Sequence, residues 1–396
     1  MDIAARAQPA RDYHAGMRII VLGGYGHFGG RICHTLAADG RFEVHVAGRD
    51  EARARAFIAA SGDRAGAMRP LRLDAGAAGL TARLAALAPD LVIHTAGPFQ
   101  GAGYGVARAA LAAGAHYVDL ADARDHVAGF AAALDAPARA AGRLAVGGAS
   151  SVPGLSGAVV QAHLHRFASL QSLDIGISPG NRTPRGLATT EAILGYVGRP
   201  FPLRREGGWR RAHGWQSLRR ERYPGVGVRW LARCDVPDLA VLPARHPGLR
   251  DCDFRAGLEL RRMHFGLWLA SWAVRAGVVR RLPAWAGPLL RLSGRWLDEG
   301  SDVGVMHVDM RGTGVGDGHP LALRWLLVAR GGDGPQIPCT AAIVLARMLA
   351  EGRLADTGAR ACLDLFTLDD YLDALRGFDI QATLLGPDPA RRRVVR

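Results

Sequence analysis

The stretch of sequence that decides the fold is Gly24-Tyr25-Gly26-His27-Phe28-Gly29, which closely follows the apolar run at residues 18–22. A Gly-x-Gly-x-x-Gly loop between a strand and a helix is the fingerprint of a dinucleotide-binding fold. The first glycine permits a tight turn, the second lets a pyrophosphate approach the backbone, and the third lets helix and strand pack closely. A chain with 52 glycines contains such spacings by chance, so the context decides. We predict that all six residues bind a cofactor.

Outward from this loop, short apolar runs alternate with Ala-rich helical stretches as far as about residue 149, which is typical of a parallel sheet with crossover helices. The predicted strands are residues 18–22, 43–47, 71–73, 91–95, 117–120 and 144–146. The predicted helices are residues 27–38, 51–60, 80–87, 103–113 and 125–141. Six strands with these crossovers form a doubly wound Rossmann domain.

After Pro153 longer helices and alternating strands, at residues 172–178, 304–312 and 321–329, predict a second, α+β domain with a mostly antiparallel sheet. Residues 209–230, rich in Trp and Arg, have no clean period and predict a partly irregular insertion. The predicted division is a disordered lead-in (1–16), the Rossmann domain (17–152), a substrate and dimerisation domain (153–335), C-terminal helices that pack back on the Rossmann domain (336–385) and a basic tail (386–396). The last helices are expected at residues 340–351 and 368–375.

The charge of the chain is carried unusually, because all 50 basic residues are Arg and Lys is absent. This excludes a Schiff-base lysine, a P-loop lysine and the Tyr-x-x-x-Lys proton relay of short-chain dehydrogenases. The formal net charge of +14 favours a solvated basic surface, with a functional anion-facing patch as the alternative. We do not expect a nucleic acid partner. The five scattered cysteines indicate neither disulfides nor a metal site, and favour a reducing, cytoplasmic location.

The second predicted strand ends in Ala47-Gly48-Arg49-Asp50, where an acidic residue would bind the ribose diol of NAD. Arg49 lies in that region instead, and a guanidinium there pairs with the 2′-phosphate of NADP. NAD stays open if the Asp50 carboxylate turns inward. Asp74 follows the third strand and either contacts the adenine amine or makes a turn. After the fourth strand, Ala96-Gly97-Pro98 has only small side chains, which would let the backbone lie close to the nicotinamide ribose.

These residues resemble the saccharopine dehydrogenase-like NADP-binding family. The resemblance covers roughly the first 150 residues and rests on the glycine loop, Ala47-Gly48-Arg49, Thr95-Ala96-Gly97-Pro98-Phe99, the helix at 103–113 and His116-Tyr117-Val118-Asp119-Leu120. It implies a two-domain NADP(H)-dependent oxidoreductase, often dimeric, whose C-terminal segment returns to the Rossmann domain. The chain departs from the family at Ala121-Asp122, where Gly-Glu is common.

Hydride transfer is performed by the cofactor, so the protein need only orient the substrate and supply a proton. The weak catalytic candidates are Tyr104, Asp119, Asp122 and His94, all predicted near the carboxyl ends of strands. Each is more often structural than catalytic. The loop at residues 150–154 either contacts substrate or is a hinge, and the donors in the loop at 181–186 could hold an anionic group.

Two apolar stretches, residues 265–274 and 282–297, contain Trp and Arg but fall short of a membrane span. They favour a buried helix pair or dimer interface, and the alternative is peripheral membrane contact or a channel for a lipid-like substrate. The leading hypothesis is an NADP(H)-dependent oxidoreductase, working as a reductase on an unidentified small or lipid-like substrate. The alternative is a non-catalytic nucleotide-binding or membrane-peripheral protein that keeps the fold.

Overall fold

The computed structural model describes residues 16–316, 318–386 and 393–395. All but residue 16 of the predicted lead-in, and residues 387–392 and 396 of the predicted basic tail, lie outside these ranges. Among the described residues no helix is both long and apolar enough to cross a membrane.

The first part of the chain alternates strands and helices, as the sequence predicts. The strands are β1 (Met17–Leu22), β2 (Phe42–Gly48), β3 (Met68–Arg72), β4 (Leu91–His94), β5 (His116–Asp119) and β6 (Leu144–Gly147). The helices are α1 (Gly29–Ala37), α2 (Glu51–Ala59), α3 (Leu80–Leu87), α4 (Gly105–Ala112), α5 (Arg124–Ala128) and α6 (Phe130–Ala140). The prediction of a single helix at 125–141 is wrong, because two helices, α5 and α6, form there. They are separated at Gly129, where a Cβ atom would stand 2.9 Å from the Tyr104 hydroxyl oxygen.

The second part holds a larger sheet with helices packed beside it. Its first elements are α7 (Ser156–Leu164), β7 (Phe167–Ser178), α8 (Leu187–Tyr196), β8 (Pro200–Arg205), β9 (Gly208–His213), β10 (Arg219–Tyr223) and β11 (Gly227–Arg233). They are followed by α9 (Asp238–Arg245), β12 (Asp251–Ala256), α10 (Arg261–Arg275), α11 (Ala286–Gly294), β13 (Gly304–Gly314) and β14 (Pro320–Ala329). The last elements are α12 (Ile337–Ala350), β15 (Gly358–Ala361), α13 (Leu368–Asp373), β16 (Ile380–Leu385) and β17 (Arg393–Val395).

The first sheet is parallel, with the strand order β15-β6-β5-β4-β1-β2-β3. The second sheet runs β10-β11-β12-β7-β13-β14-β16-β17, with β8 paired to β12 and β9 to β8. Its pairings are antiparallel except for the parallel pair β7 and β12. The predicted fold class, a Rossmann domain with a second α+β part, is therefore confirmed.

The irregular insertion predicted at residues 209–230 is wrong, because this stretch forms β9, β10 and the start of β11. The alternation of apolar and polar residues that is typical of a strand is missing from this sequence. The reason is that charged side chains pair with one another across the face of the sheet. Arg219 of β10 pairs with Asp174 of β7, and Arg233 of β11 lies 3.0 Å from Asp253 of β12. Cross-strand ion pairs thus replace the usual apolar alternation.

The C-terminal segment returns to the first part and then leaves it. Helix α12 packs against α1, and β15 extends the first sheet beside β6 as a seventh strand. β16 then pairs with β14 in the second sheet, and residues 393–395, predicted as part of a frayed tail, pair with β16. The segment therefore contributes strands to both sheets as well as helices.

The prediction of a buried helix pair at 265–274 and 282–297 is correct in that helices form there and wrong in its expectation that they are buried. Helices form there, but Trp272 and Trp285 are 47% and 59% exposed. The reason is that α10 buries only a narrow stripe, His264, Ser271 and Val274, against the rest of the chain.

Candidate functional site

The glycine loop turns tightly between β1 and α1. Gly23 has a positive φ of 84°, and a Cβ on Gly29 would stand 2.2 Å from the Gly23 carbonyl oxygen. A Cβ on Gly24 would stand 3.0 Å from the Cα of Val46. The first turn of α1 contains no acidic residue, so its free N–H groups face no competing carboxylate. The loop therefore has the shape and polarity that a dinucleotide phosphate requires.

Tyr25 links this loop to the end of β2. A Cβ on Gly48 would stand 2.4 Å from the tyrosine ring, and the Asp50 backbone N–H donates to the Tyr25 hydroxyl at 3.2 Å. The Asp50 carboxylate accepts from the Arg53 N–H at 3.1 Å, and so caps α2. Arg49 is exposed beside it. The Asp50 carboxylate, which could have favoured NAD, is thus hydrogen-bonded to the start of α2, whereas Arg49 is exposed to solvent.

The other predicted cofactor residues lie at the same edge of the sheet or near it. Asp74 is exposed and accepts from the Gly76 N–H at 3.0 Å, which is the geometry of a turn. Ala96 lies beside the glycine loop, because a Cβ on Gly23 would stand 3.1 Å from its nitrogen. Gly97 and Pro98 follow it, joined by a cis peptide bond. The Ala96–Pro98 segment therefore begins beside the glycine loop, and the Asp74 carboxylate takes part in a local turn.

Two of the four catalytic candidates, Asp119 and His94, are buried and hydrogen-bonded to residues at the first sheet. The Asp119 carboxylate is fully buried and accepts from the backbone N–H groups of Gly148 at 2.8 Å and Ala121 at 3.0 Å. His94 Nδ1 lies 3.0 Å from the Tyr117 hydroxyl, and burial lowers the pKa of this histidine. Asp119 thus joins the ends of β5 and β6, and His94 is held in a neutral state.

The remaining two candidates differ from each other. The Tyr104 hydroxyl donates to the His126 carbonyl at 2.9 Å, and burial raises the pKa of Tyr104. Asp122 accepts from the Gln100 amide at 3.1 Å, and burial raises the pKa of its carboxyl group. Asp122 therefore holds a proton more readily than an ordinary aspartate and lies just beyond the carboxyl end of β5.

A cavity of about 210 Å³ lies between the glycine loop and the second sheet. His27 and Phe28 form one side of it, and Ser151, from the predicted hinge loop, lies at its edge. The second sheet contributes the ends of β7 and β13, and the remaining walls come from α8, the loop before it and the start of α12. These parts of the wall include Ile177, Ser178, Pro179, Thr183, Pro184, Arg185, Thr189, Ile193, Val305, Met306, Pro335 and Pro338. The lining is mainly apolar.

The polar groups of this cavity are few and well defined. The Arg185 guanidinium donates to the Asn181 side-chain oxygen at 3.0 Å, and burial lowers the pKa of this arginine. Asn181 is fully buried and donates in turn to the Glu299 carbonyl at 2.8 Å. The Ser178 hydroxyl is buried and has no hydrogen-bond partner among the described residues. The donor loop predicted at 181–186 therefore does reach the cavity, whereas Ser178 had no signal beyond its place at a strand end.

Two carboxyl groups that the sequence analysis missed, the partly buried Asp235 and the fully buried Asp238, lie where the two parts of the chain meet. Burial raises the pKa of Asp235 to about 6, opposed by the Arg124 guanidinium 2.6 Å away. Burial also raises the pKa of Asp238 to about 7, and its carboxyl group accepts from the Ser156 hydroxyl. Arg124 belongs to the first part and both aspartates to the second. An acidic residue in a loop, such as Asp235, or at a helix start, such as Asp238, carries no sequence pattern that reveals burial. In the described ranges, no group of three or more His, Cys, Asp or Glu side chains could hold a metal ion.

Residues 19–146 match the family model described as the saccharopine dehydrogenase NADP binding domain. This stretch is similar to that domain family. The match covers the glycine loop and β1 through most of β6, and it confirms both the predicted resemblance and the NADP(H) cofactor at the level of the domain. No curated protein sequence matches the chain.

Beyond this saccharopine dehydrogenase-type domain, the whole chain has similar solved structures. Apo histidine-tagged saccharopine dehydrogenase (L-Glu forming) from Saccharomyces cerevisiae is 13% identical, with 93% of this chain and 100% of that chain covered and a TM-score of 0.62. An engineered D-amino acid dehydrogenase bound to NADP+ is 16% identical, with 90% and 99% covered and a TM-score of 0.48. The DAP dehydrogenase of C. glutamicum in complex with DAP is 16% identical, with 90% and 98% covered and a TM-score of 0.47. The first similarity shows a shared fold.

Proposed function

We propose that this chain is an NADP(H)-dependent oxidoreductase that works as a reductase. The observation that carries the proposal is the cavity that has the glycine loop on one side and the second sheet on the other. A ligand in it would lie beside His27 and Phe28, next to a cofactor seated on the loop. Bound NADPH supplies a hydride, and the cavity supplies a water-poor space in which an apolar substrate can meet it.

The residues of the first sheet fit this cofactor. Gly24, Gly26 and Gly29 let the loop turn tightly, because a Cβ on each would crowd a backbone carbonyl oxygen, and the N–H groups at the start of α1 suit a phosphate. Exposed Arg49 would hold the 2′-phosphate of NADP, because a planar guanidinium binds phosphate oxygens in pairs. The preference for NADP over NAD therefore rests on Arg49.

The cavity indicates the class of substrate. Its apolar walls favour a small apolar or lipid-like molecule, and Arg185 with Ser178 favours one anionic or strongly polar group on that molecule. Asn181 holds the Arg185 guanidinium in place, which lowers the entropy lost on binding. Asp122 is the proposed proton source, because it lies just beyond the carboxyl end of β5 and burial raises the pKa of its carboxyl group.

A reductase assay tests the proposal. The chain is mixed with NADPH and a panel of imine, enone and ketone compounds that carry an apolar chain and a carboxylate, and NADPH oxidation is followed by absorbance. Turnover of one compound class, with product formed in equal amount to NADPH consumed, supports the proposal. Tight NADPH binding without turnover of any class would favour instead a non-catalytic nucleotide-binding or membrane-peripheral protein. The predicted homodimer and cytoplasmic location stay predictions, and light scattering tests the first.

A further inference from the structure

Large apolar side chains point into solvent along one helical segment of the second part. Leu269 and Trp272 lie on α10, Val278 in the turn after it, Trp285 in the short helix Leu282–Trp285, and Leu292 on α11. Their exposed fractions run from 40% for Leu292 to 78% for Val278. Exposed large apolar residues that cluster in this way mark an interaction site.

The same segment carries positive charge that nearby acidic residues do not neutralise. Residues 261–297 contain seven arginines and no acidic residue. Arg262 pairs with Glu299, whereas no acidic side chain among the described residues pairs with the other six. Five of these six follow Arg262 in the chain and are exposed, namely Arg275, Arg280, Arg281, Arg291 and Arg295. We call the five apolar residues and these five arginines the Trp–Arg surface.

Trp and Arg together suit one kind of partner. Trp places its ring at the boundary between the head groups and the acyl chains of a bilayer, and Arg lays its stem on apolar surface while its guanidinium meets an anionic group. In this chain the Arg275 guanidinium lies 5.2 Å from the centre of the Trp272 ring. Anionic head groups would neutralise the arginines, whereas a second copy paired through the same face would bring arginine against arginine.

A basic pocket adds to this charge at the other end of α10. It is lined by Arg220, Val228, Trp230 and Arg261, and it holds about 330 Å³. Two guanidinium groups at one opening suit an anionic head group better than a neutral one.

The position of the surface relates it to the cavity. Helix α11 and the short helix Leu282–Trp285 both pack against α8, and α8 lines the cavity through Thr189 and Ile193. Leu187, at the start of α8, is itself 48% exposed. The helix that forms one wall of the cavity thus contacts the two helices that carry Trp285 and Leu292 of the Trp–Arg surface.

We propose that the Trp–Arg surface docks the protein on a membrane that contains anionic lipid. The docked helices lie in the interface and do not span the bilayer. This inference goes beyond the reductase activity and stands without it, because it concerns the outer face of α10 and α11 and not the cofactor site.

Vesicle flotation tests the docking. The full chain is mixed with vesicles of phosphatidylcholine alone or of phosphatidylcholine with phosphatidylserine. We expect flotation only with the phosphatidylserine vesicles, and less of it as salt rises. Trp272→Ala with Trp285→Ala, and separately Arg280→Glu with Arg281→Glu, should each weaken binding at least about tenfold.

Matched controls come from the β8–β9 hairpin. Trp209 is 52% exposed there, and Arg210 and Arg211 are also exposed. Trp209→Ala, and Arg210→Glu with Arg211→Glu, should leave flotation unchanged, although the second pair alters net charge as much as Arg280→Glu with Arg281→Glu does. Each variant should keep the parent's melting temperature and NADPH affinity.

Three results would overturn the proposal. The first is a parent protein that does not float with phosphatidylserine vesicles, and the second is an equal loss of binding in the control pairs, which would reduce the effect to net charge. The third is a lipid-free dimer, seen by light scattering, that Trp272→Ala with Trp285→Ala dissociates, because the surface would then be covered by a second copy.

Discussion

Tyr25 lies against Gly48 so closely that a Cβ atom on Gly48 would stand 2.4 Å from the tyrosine ring. The contact joins the glycine loop after β1 to the end of β2, next to Arg49. The Arg53 guanidinium lies 5.0 Å from the centre of the same ring. The position of the loop therefore depends on a residue in the neighbouring strand that has no side chain.

The first prediction follows from this contact. Gly48→Ala should displace the Tyr25 ring and weaken NADPH binding severalfold, measured by fluorescence titration. Because both changes act through the same ring, adding Gly48→Ala to Tyr25→Ala should cost much less than Gly48→Ala costs alone. Additive losses in the double variant would show that Gly48 acts independently of Tyr25.

The second prediction concerns cofactor preference. Arg49→Asp should weaken NADPH binding about tenfold to a hundredfold and change NADH binding little, since a charge-assisted hydrogen bond is worth about 1.5–3 kcal/mol. Arg55→Asp is the matched control, because Arg55 is exposed on α2 and pairs with Glu51. Equal losses for both cofactors in the Arg49 variant would remove the 2′-phosphate role.

The third prediction concerns the glycine loop. A Cβ on Gly26 would already stand 3.0 Å from the Gly23 carbonyl oxygen, so Gly26→Val crowds the loop at the glycine that is expected to let a pyrophosphate approach the backbone. NADPH affinity should fall by orders of magnitude while the circular dichroism spectrum is kept. Gly40→Val is the control, since a Cβ there would meet nothing within 4 Å. Unchanged affinity in the Gly26 variant would make the motif purely structural.

The fourth prediction concerns Arg185 and the substrate found in the reductase assay. Arg185→Leu should raise the KM for an anionic substrate about tenfold to a hundredfold, since it removes a charge-assisted contact. The KM for a neutral ester of the same compound should change much less. Arg182→Leu, in the same loop but exposed and bound to the Asp298 carbonyl, should change neither. Equal effects on acid and ester would contradict an anion-binding role.

The fifth prediction is a pH dependence of stability from Asp238. Burial raises its pKa to about 7 in the folded chain, against about 3.9 when unfolded. The folded state therefore binds this proton more tightly, so the contribution is fully present below about pH 4 and is lost as pH rises through about 7. Between about pH 5 and about pH 8 the free energy of unfolding should fall by roughly 1–3 kcal/mol from this group.

Asp238→Asn tests this dependence, because the amide stays uncharged and can still accept from Ser156. Urea unfolding at several pH values should show a flatter pH profile in Asp238→Asn than in the parent. Asp373→Asn, at an exposed helix end beside Arg376, should leave the profile as it is. A parent and an Asp238→Asn variant with parallel profiles would show that Asp238 does not titrate in this range.

Much of the first sheet could be predicted because its signals are local. Apolar runs, helical stretches and the glycine spacing are visible within a few residues of each strand, and five of the strands β1 to β6 lie within one residue of the predicted bounds, whereas β3 begins three residues earlier than predicted. β15 could not be predicted, because Gly358–Ala361 contains no apolar run. That strand forms because the edge of β6 offers it hydrogen bonds, which is a property of the assembled sheet.

The catalytic candidates also show what local sequence signals leave undecided. A position near the end of a strand drew attention to Asp119 and Tyr104, and in the fold the Asp119 carboxylate accepts from the Gly148 N–H while the Tyr104 hydroxyl donates to the His126 carbonyl. Sequence position places a side chain near an edge. Its partners decide what the side chain does there.

The sequence by itself determined the cofactor domain, since the loop from Gly24 to Gly29 and Arg49 need only their own strand and helix around them. The tertiary structure alone decided the substrate cavity, which brings Phe28, Ser178, Arg185 and Pro335 together from distant parts of the chain. It also decided which groups are buried, and so the proton affinity of Asp238 and the exposure of Trp272 and Trp285. The physical reason is that a strand or a glycine turn is specified by neighbours in sequence, whereas a cavity, a desolvated carboxyl group or an uncovered helix face depends on everything packed around it.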